Sequence, residues 1–240
     1  MKTTLIRASS RGHAYHGWLD TYHTFSFANY YDPNRIQFGA LRVINDDIVL
    51  AGEGFGTHPH NNMEIVSIPL YGDLEHKDSM GHTEVIRAGE VQVMSAGSGI
   101  THSEYNSSDE NPLNFFQIWV FPDKENVTPR YDQRAFDFIH NKNKFVQIVG
   151  PKDDASNTGL WIHQNAWFNI GTFDKGVETE YQIKKKGNGV YAMVVEGEFT
   201  VEGQKLHHRD GYAISDVDSI KITSDAENAR ILLIDVPMTI

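Results

Sequence analysis

Residues 64 to 75 read Glu64-Ile65-Val66-Ser67-Ile68-Pro69-Leu70-Tyr71-Gly72-Asp73-Leu74-Glu75: an apolar run of one strand's length, a glycine turn and a returning strand. The same form recurs in the second half as Val195-Glu196-Gly197-Glu198-Phe199. Outward from these, short apolar runs are read at Ile36 to Ile44, Val91 to Ser95, Phe115 to Val120, Phe145 to Val149, Val190 to Val195 and Arg230 to Val236. Turns are expected at Asn45-Asp46-Asp47 and Glu202-Gly203-Gln204. No stretch keeps apolar residues at i, i+3, i+4, i+7, so helix is sparse and the chain is all-β, with turns spaced as in a sandwich or barrel.

The chain has 240 residues, enough for one large β-domain or two smaller ones with a sizeable core. With 40% hydrophobic and 22% charged residues it has an ordinary globular composition, which excludes disorder. Pro122 through about Asn143 is polar, carries Pro122 and Pro129, and is read as a connector that divides the chain into residues 1–130 and 131–240. Lys and Arg total 21 against 32 Asp and Glu, a net charge of -11, which disfavours direct contact with nucleic acid; the only basic cluster is Lys184 to Lys186. Cysteine is absent, so disulfides, thiolate nucleophiles and Cys-ligated metal sites are excluded. Met1 to Gly17 has no apolar core of a signal peptide, and no window approaches a membrane span, so a cytoplasmic location without membrane contact is expected.

Histidines concentrate before the connector, where Gly56-Thr57-His58-Pro59-His60 and Gly99-Ile100-Thr101-His102-Ser103-Glu104 stand out. In extended backbone, residues two apart share a face, so His58 and His60 can converge on one ion, and His102 and Glu104 can do the same from another strand. Imidazoles with a carboxylate suit a divalent first-row transition ion better than Mg²⁺ or Ca²⁺, and on a five- or six-coordinate ion they leave positions open for water, substrate or O₂. One His-x-His pair is commonly incidental; the second pair, with the same spacing and glycine turns, strengthens the metal reading. Glu64, four residues past His60 and of the same strand parity as both histidines, competes with Glu104, either as the carboxylate ligand, as a partner of a ligating imidazole, or as a solvated strand residue. His76 and His82 flank a loop around Asp78 to Gly81 and are expected to be exposed, as are His207 and His208. The aromatic stretch Trp18 to Tyr31 reads first as packing and second as a pocket wall. There is no Gly-x-Ser-x-Gly elbow, P-loop or dinucleotide fingerprint, so serine-nucleophile chemistry is disfavoured.

Gly52, His58-x-His60, Glu64 and Gly72 resemble the first cupin motif, and Gly89 through Gly97, His102 and Asn106 the second. More specifically, Met94-Ser95-Ala96-Gly97-Ser98-Gly99-Ile100-Thr101-His102-Ser103-Glu104, Thr57-His58-Pro59-His60 and Met63-Glu64 are similar to the signature of the pirin family. His16-Gly17-Trp18-Leu19-Asp20 and His23-Thr24-Phe25-Ser26-Phe27-Ala28 resemble its bacterial members with quercetinase activity. Similarity runs from about Arg11 to Phe136. Pro69, Tyr71 and Asn61-Asn62 depart from the family pattern. Pro69 is expected at an edge or bulge, and all these positions near the mouth of the site, where they bear on substrate choice.

The resemblance implies two cupin barrels in one chain, each a double-stranded β-helix or jelly roll, with one metal in the N-terminal barrel. The ligands it implies are His58, His60, His102 and Glu104, which favours Glu104 over Glu64, and the ion it implies is Fe²⁺, with Mn, Co, Ni, Cu or Zn as alternatives. The second half offers Gly211-Tyr212-Ala213-Ile214-Ser215-Asp216 in place of imidazoles, so no metal is expected there. The implied activity is a dioxygenase that opens a flavonol such as quercetin with O₂, Glu104 serving as base as well as ligand. A rival is a metal- and redox-responsive binding protein acting on a protein partner; a third is a cupin isomerase or hydrolase that uses the ion without O₂. A monomer is expected, because two barrels can cover each other's apolar faces.

Overall fold

Alternating side-chain burial, the mark of strands with one face in a core, runs through most of the chain in the computed structural model, which describes residues 1–239. In the first half the strands are Lys2–Ile6 (β1), Gly12–Tyr15 (β2), Leu19–His23 (β3), Leu41–Val49 (β4), Gly54–His60 (β5), Glu64–Tyr71 (β6), Asp73–Asp78 (β7), Thr83–Arg87 (β8), Glu90–Ser95 (β9), Ile100–Asn106 (β10), Leu113–Val120 (β11) and Arg130–Ala135 (β12). The second half continues with Val146–Pro151 (β13), Leu160–Ile162 (β14), Trp167–Phe173 (β15), Glu178–Gln182 (β16), Asn188–Glu196 (β17), Phe199–Val201 (β18), Gln204–Leu206 (β19), Gly211–Ser215 (β20), Ser219–Ser224 (β21) and Ala229–Pro237 (β22). Among the described residues the one helical element is a 3-10 turn at Ala8–Ser10, and no helix is long and apolar enough to cross a membrane.

Each half pairs a seven-stranded sheet with a four-stranded one. The first half has the orders β12-β9-β6-β11-β4-β3-β2 and β5-β10-β7-β8; the second has β1-β20-β17-β22-β15-β13-β14 and β16-β21-β18-β19. The largest apolar cluster draws on both seven-stranded sheets, with Leu41, Val66, Phe116 and Ile118 from one and Tyr191, Met193, Leu232 and Ile234 from the other. Burying each such side chain contributes about 1.5–3 kcal/mol, which welds the halves along this face. Inside the second barrel, Phe173, Val190, Phe199, Ile220 and Leu233 form a continuous apolar core. The first barrel holds two smaller clusters instead, one around Leu74, Ile86 and Phe115 and one around Ile65, Met94 and Ile100. Buried polar side chains, among them Asn45, Asp47, Ser67, His102, Glu104 and Gln117, accompany them.

Several expectations are corrected. Asn45-Asp46-Asp47 is not a turn: all three are buried in β4, which starts at Leu41 rather than Ile36. Strand alternation sends them to opposite faces, with Asn45 and Asp47 lining a cavity inside the barrel and Asp46 meeting Arg11 and Arg209 on the other side. The polar segment after Pro122 is more than a connector, since β12 pairs with β9 at the edge of the first large sheet. The division expected at residue 130 thus falls on the first residue of a strand of that sheet, and β1 pairs with β20 in the sheet of the second half. Pro69 lies where the pairing of β6 with β11 shifts register, beyond the last residue of β6 that pairs with β9, so its missing N–H costs no ladder bond there.

Candidate metal centre

Strands β5 and β10 run antiparallel with His102 directly opposite His58, and the register shifts between His102 and Glu104 so that Glu104 faces Phe55. Burial along β10 alternates, with Ile100, His102, Glu104 and Asn106 inward and Thr101 and Tyr105 exposed, as two-residue spacing demands. The two strands approach closely at Gly54, where a Cβ would collide with the Glu104 carbonyl oxygen and Tyr105 Cα. The paired backbones thereby bring the histidines together. Ring centroids of His58, His60 and His102 are 4.5 to 4.9 Å apart, and their ligand nitrogens lie within 4.8 Å of one another.

The donor set fits a divalent first-row ion. His58 Nδ1 donates to the Gly56 carbonyl at 2.8 Å, which leaves its Nε2 lone pair free. His102 Nε2 is buried and has no hydrogen-bond partner, a costly state unless something else satisfies it. Burial, and then the neighbouring His58, pushes His60 down to about 4, and burial followed by the other imidazoles pushes His102 lower still. Both rings are therefore neutral at physiological pH, the form that coordinates metal.

Glu104 enters the same cavity from β10. Its carboxylate accepts hydrogen bonds from Ser67 Oγ at 3.2 Å and Gln117 Nε2 at 2.7 Å, and it forms a second close trio with His102 and His76. Burial pushes the carboxyl up to about 7 against these bonds, with Asp47 adding to the rise. Glu64 goes elsewhere. The loop between β5 and β6 breaks the alternation that would align it with the histidines, and on β6 it shares a face with Val66 and Ile68, toward the second half. There Ser95 Oγ donates to it at 2.7 Å, and it also takes a backbone hydrogen bond from His163.

A cavity of about 330 Å³ opens beside His58, His60 and Glu104. Trp18, Phe27, Phe55 and Trp119 supply flat apolar walls, and Thr21, His23, Asn45, Asp47 and Gln117 supply polar groups. The aromatic stretch Trp18 to Tyr31 is thus partly a pocket wall rather than packing alone. Burial pushes Asp47 up to about 7, although the Thr21 hydroxyl donates to its carboxylate. A second, more open cleft reaches His58 and His60 from outside past Asn61 and Thr101. Asn61 is therefore near the site, whereas Tyr71 is not: it lines a cleft between the halves with Asp46 and Arg209.

His76 is also corrected. It is fully buried behind His102 rather than exposed, His82 is half-buried, and only His207 and His208 are exposed as expected. Ser67 and Gln117 were visible in principle as lone polar residues inside the apolar runs of β6 and β11. His76 and Asp78 carried no such signal, because they sit in the polar strand Asp73-Leu74-Glu75-His76-Lys77-Asp78.

A pirin family model matches residues 5–120, and a model described as the quercetinase C-terminal cupin domain matches residues 147–236. The quercetin 2,3-dioxygenase of Escherichia coli strain K12 is 48% identical over 233 residues, 97% of this chain and 98% of its own length. A pirin-like protein of Caulobacter vibrioides is 41% identical over 225 residues, 93% of this chain and 95% of its own. Among solved structures, the bacterial pirin YhhW of Escherichia coli in complex with nickel(II) matches with a TM-score of 0.92 at 46% identity, covering 98% of this chain and 99% of that one. Oxalate decarboxylase of Lactobacillus farciminis, at 12% identity and a TM-score of 0.66, shares the fold alone.

Proposed function

The chain belongs to the pirin family, and from that premise we propose that it is a metal-dependent dioxygenase that opens a flavonol such as quercetin, with His58, His60, His102 and Glu104 holding one divalent ion in the first barrel. A metal-binding cupin with a dioxygenase-like relative at 48% identity is the common ground; the flavonol, the ligand set and the ion are the proposal. The observation that carries it is the clustering of three imidazoles, His58, His60 and His102, with His58, His60 and the buried carboxylate of Glu104 at the wall of one cavity faced with aromatic rings. Its size is at the low end for small-molecule sites, and its flat walls suit a planar aromatic substrate.

Once bound, the ion supplies Lewis acidity toward a substrate oxygen and one-electron chemistry with O₂. The rest is the work of the chain's own groups. Glu104, poised near neutrality by burial, accepts the proton of the flavonol 3-hydroxyl on a carboxylate oxygen. Ser67 and Gln117 hold that carboxylate in place from β6 and β11. Trp18, Phe27 and Trp119 line the cavity around the substrate rings and keep water from the deprotonated substrate. Overall, one O₂ is consumed and one carbon monoxide released for each ring opened. We propose Fe²⁺ as the ion; a relative holds nickel(II), and nitrogen and oxygen donor sets of this kind suit several first-row ions.

The test is anaerobic reconstitution with Fe²⁺, Mn²⁺, Co²⁺, Ni²⁺ or Cu²⁺ in turn, followed by quercetin turnover and oxygen uptake. Coupled loss of quercetin and O₂ with at least one ion is expected. Folded, loaded protein that consumes neither with any of them overturns the assignment.

A further inference from the structure

Of the three clustered imidazoles His102 is the most buried, and its second nitrogen faces another histidine rather than solvent. His102 Nδ1 lies 3.4 Å from His76 Nδ1, and His76 Nε2 lies 3.2 Å from Asp78 Oδ2. The same Asp78 oxygen lies 2.9 Å from His82 Nδ1, so the series runs from the barrel interior to a ring that reaches the surface. Oδ1 of Asp78 accepts the backbone N–H groups of Met80 and His82 at 2.9 and 3.1 Å. The side chains of His76 and Asp78 are both 0% exposed. Tyr131 of β12 stacks on His76 and His82 with centroids 4.6 and 4.9 Å away, which fixes both rings.

The protons along this series follow from its acidic end. An Asp78 carboxylate can only accept, so His76 Nε2 and His82 Nδ1 must be donors. A neutral His76 then has a lone pair at Nδ1. Its contact with His102 is a hydrogen bond only if His102 carries its proton on Nδ1, which leaves the His102 lone pair on Nε2. That Nε2 is the buried atom without a partner, next to His58 and His60.

We propose that His76 and Asp78 are positioning residues that lock His102 in its Nδ1–H form and aim its Nε2 lone pair at the ion. This rests on the assignment of His102 as a ligand. Groups behind ligating histidines commonly fix ring orientation and tautomer and strengthen the donor, and their loss typically weakens metal binding about 10–100-fold. A purely structural role for the pair, filling space under Tyr131, makes no demand on where the His102 proton sits. The second trio of His76, His102 and Glu104 suggests a different arrangement, in which His76 itself binds the ion.

The experiment is nitrogen-15 NMR of the histidine rings in the full-length protein, metal-free and loaded with Zn²⁺, combined with Zn²⁺ affinity measured by chelator competition. The expected results are a His102 proton on Nδ1 in both states, a His76 proton on Nε2 in both, and affinity about 10–100-fold weaker in His76→Phe and Asp78→Asn. His76→Phe keeps a ring to stack on Tyr131. A His102 proton on Nε2, Zn²⁺ on His76 Nδ1, or unchanged affinity in folded variants overturns the proposal. The proton positions are read in the wild-type chain, so the decision survives a variant that fails to fold. A wild-type protein that binds no Zn²⁺ overturns instead the ligand assignment beneath it.

Discussion

Arg209 and Asp46 meet across the two halves of the chain, Nε to Oδ2 at 3.2 Å, with side chains only 11% and 7% exposed. The same Asp46 oxygen also pairs with Arg11 at 3.3 Å, while Asn114 donates to its other oxygen at 2.8 Å and accepts from Arg209 at 3.0 Å. Breaking a buried pair by removing one partner costs about 3–5 kcal/mol, because a charge is left uncompensated. Arg209→Met leaves Asp46 with Arg11 and is expected to cost less than that range. Asp46→Ala strands two guanidinium groups and is expected to reach it. Urea unfolding of the two variants checks the order; equal losses contradict the clamp.

The ion should matter to occupancy and not to the fold. His102→Ala is expected to reduce bound metal to background while leaving circular dichroism unchanged, since the apolar clusters rather than the ion carry stability at this chain length. Chelation of the wild-type protein should have the same outcome. Metal analysis per chain, alongside a thermal melt, measures both. Collapse of the β-sheet signal on chelation would mark the ion as structural.

Phe27 reaches the cavity from the loop after β3, edge-on to Trp119 at 5.3 Å and tilted against His23 at 5.3 Å. It touches no atom proposed to react. Phe27→Ala is expected to raise KM for a flavonol by roughly 2- to 10-fold, as loss of an aromatic contact worth about 0.5–1.5 kcal/mol predicts, with kcat little changed. Steady-state kinetics separates the two constants, and a fall in kcat at constant KM would remove Phe27 from the binding wall.

Glu64 is 1% exposed, and burial pushes its carboxyl from an ordinary 4.5 up to about 7. Between these values the folded chain holds a proton that the unfolded chain has released, so this group makes stability fall as pH rises from 4.5 through about 7. The full effect is about 3 kcal/mol. Glu64→Gln cannot titrate, and its stability relative to wild type should improve by that order between pH ~4 and pH ~8. Denaturant unfolding across that range tests it, and parallel curves for the two proteins would show that the carboxyl does not titrate in this window.

Much of this architecture is legible in the sequence where strands are apolar and bounded by glycine turns, as at Glu64–Tyr71 and Asn188–Glu196. The histidine pairs are legible for a different reason: within one strand, spacing alone fixes which side chains share a face. That argument fails across a loop, which is why Glu64 looked aligned with His60 and is not. It also fails where burial is polar. Asn45, Asp46 and Asp47 read as a turn because their partners, among them His23, Thr21 and Arg209, come from distant segments that local composition does not reveal. His76 is hidden for the same reason, its surroundings supplied by Tyr131 and His102.

Strand β1 closes the edge of the second half's sheet through residues Lys2 to Ile6 against Ser215 to Gly211. During synthesis it leaves the ribosome about 200 residues before its partner. This strand therefore waits unpaired while the strands of the first barrel are made, and it can dock only after β20 has followed. A cut between the halves would accordingly yield a C-terminal fragment with a bare sheet edge, prone to recruiting a strand from a neighbour.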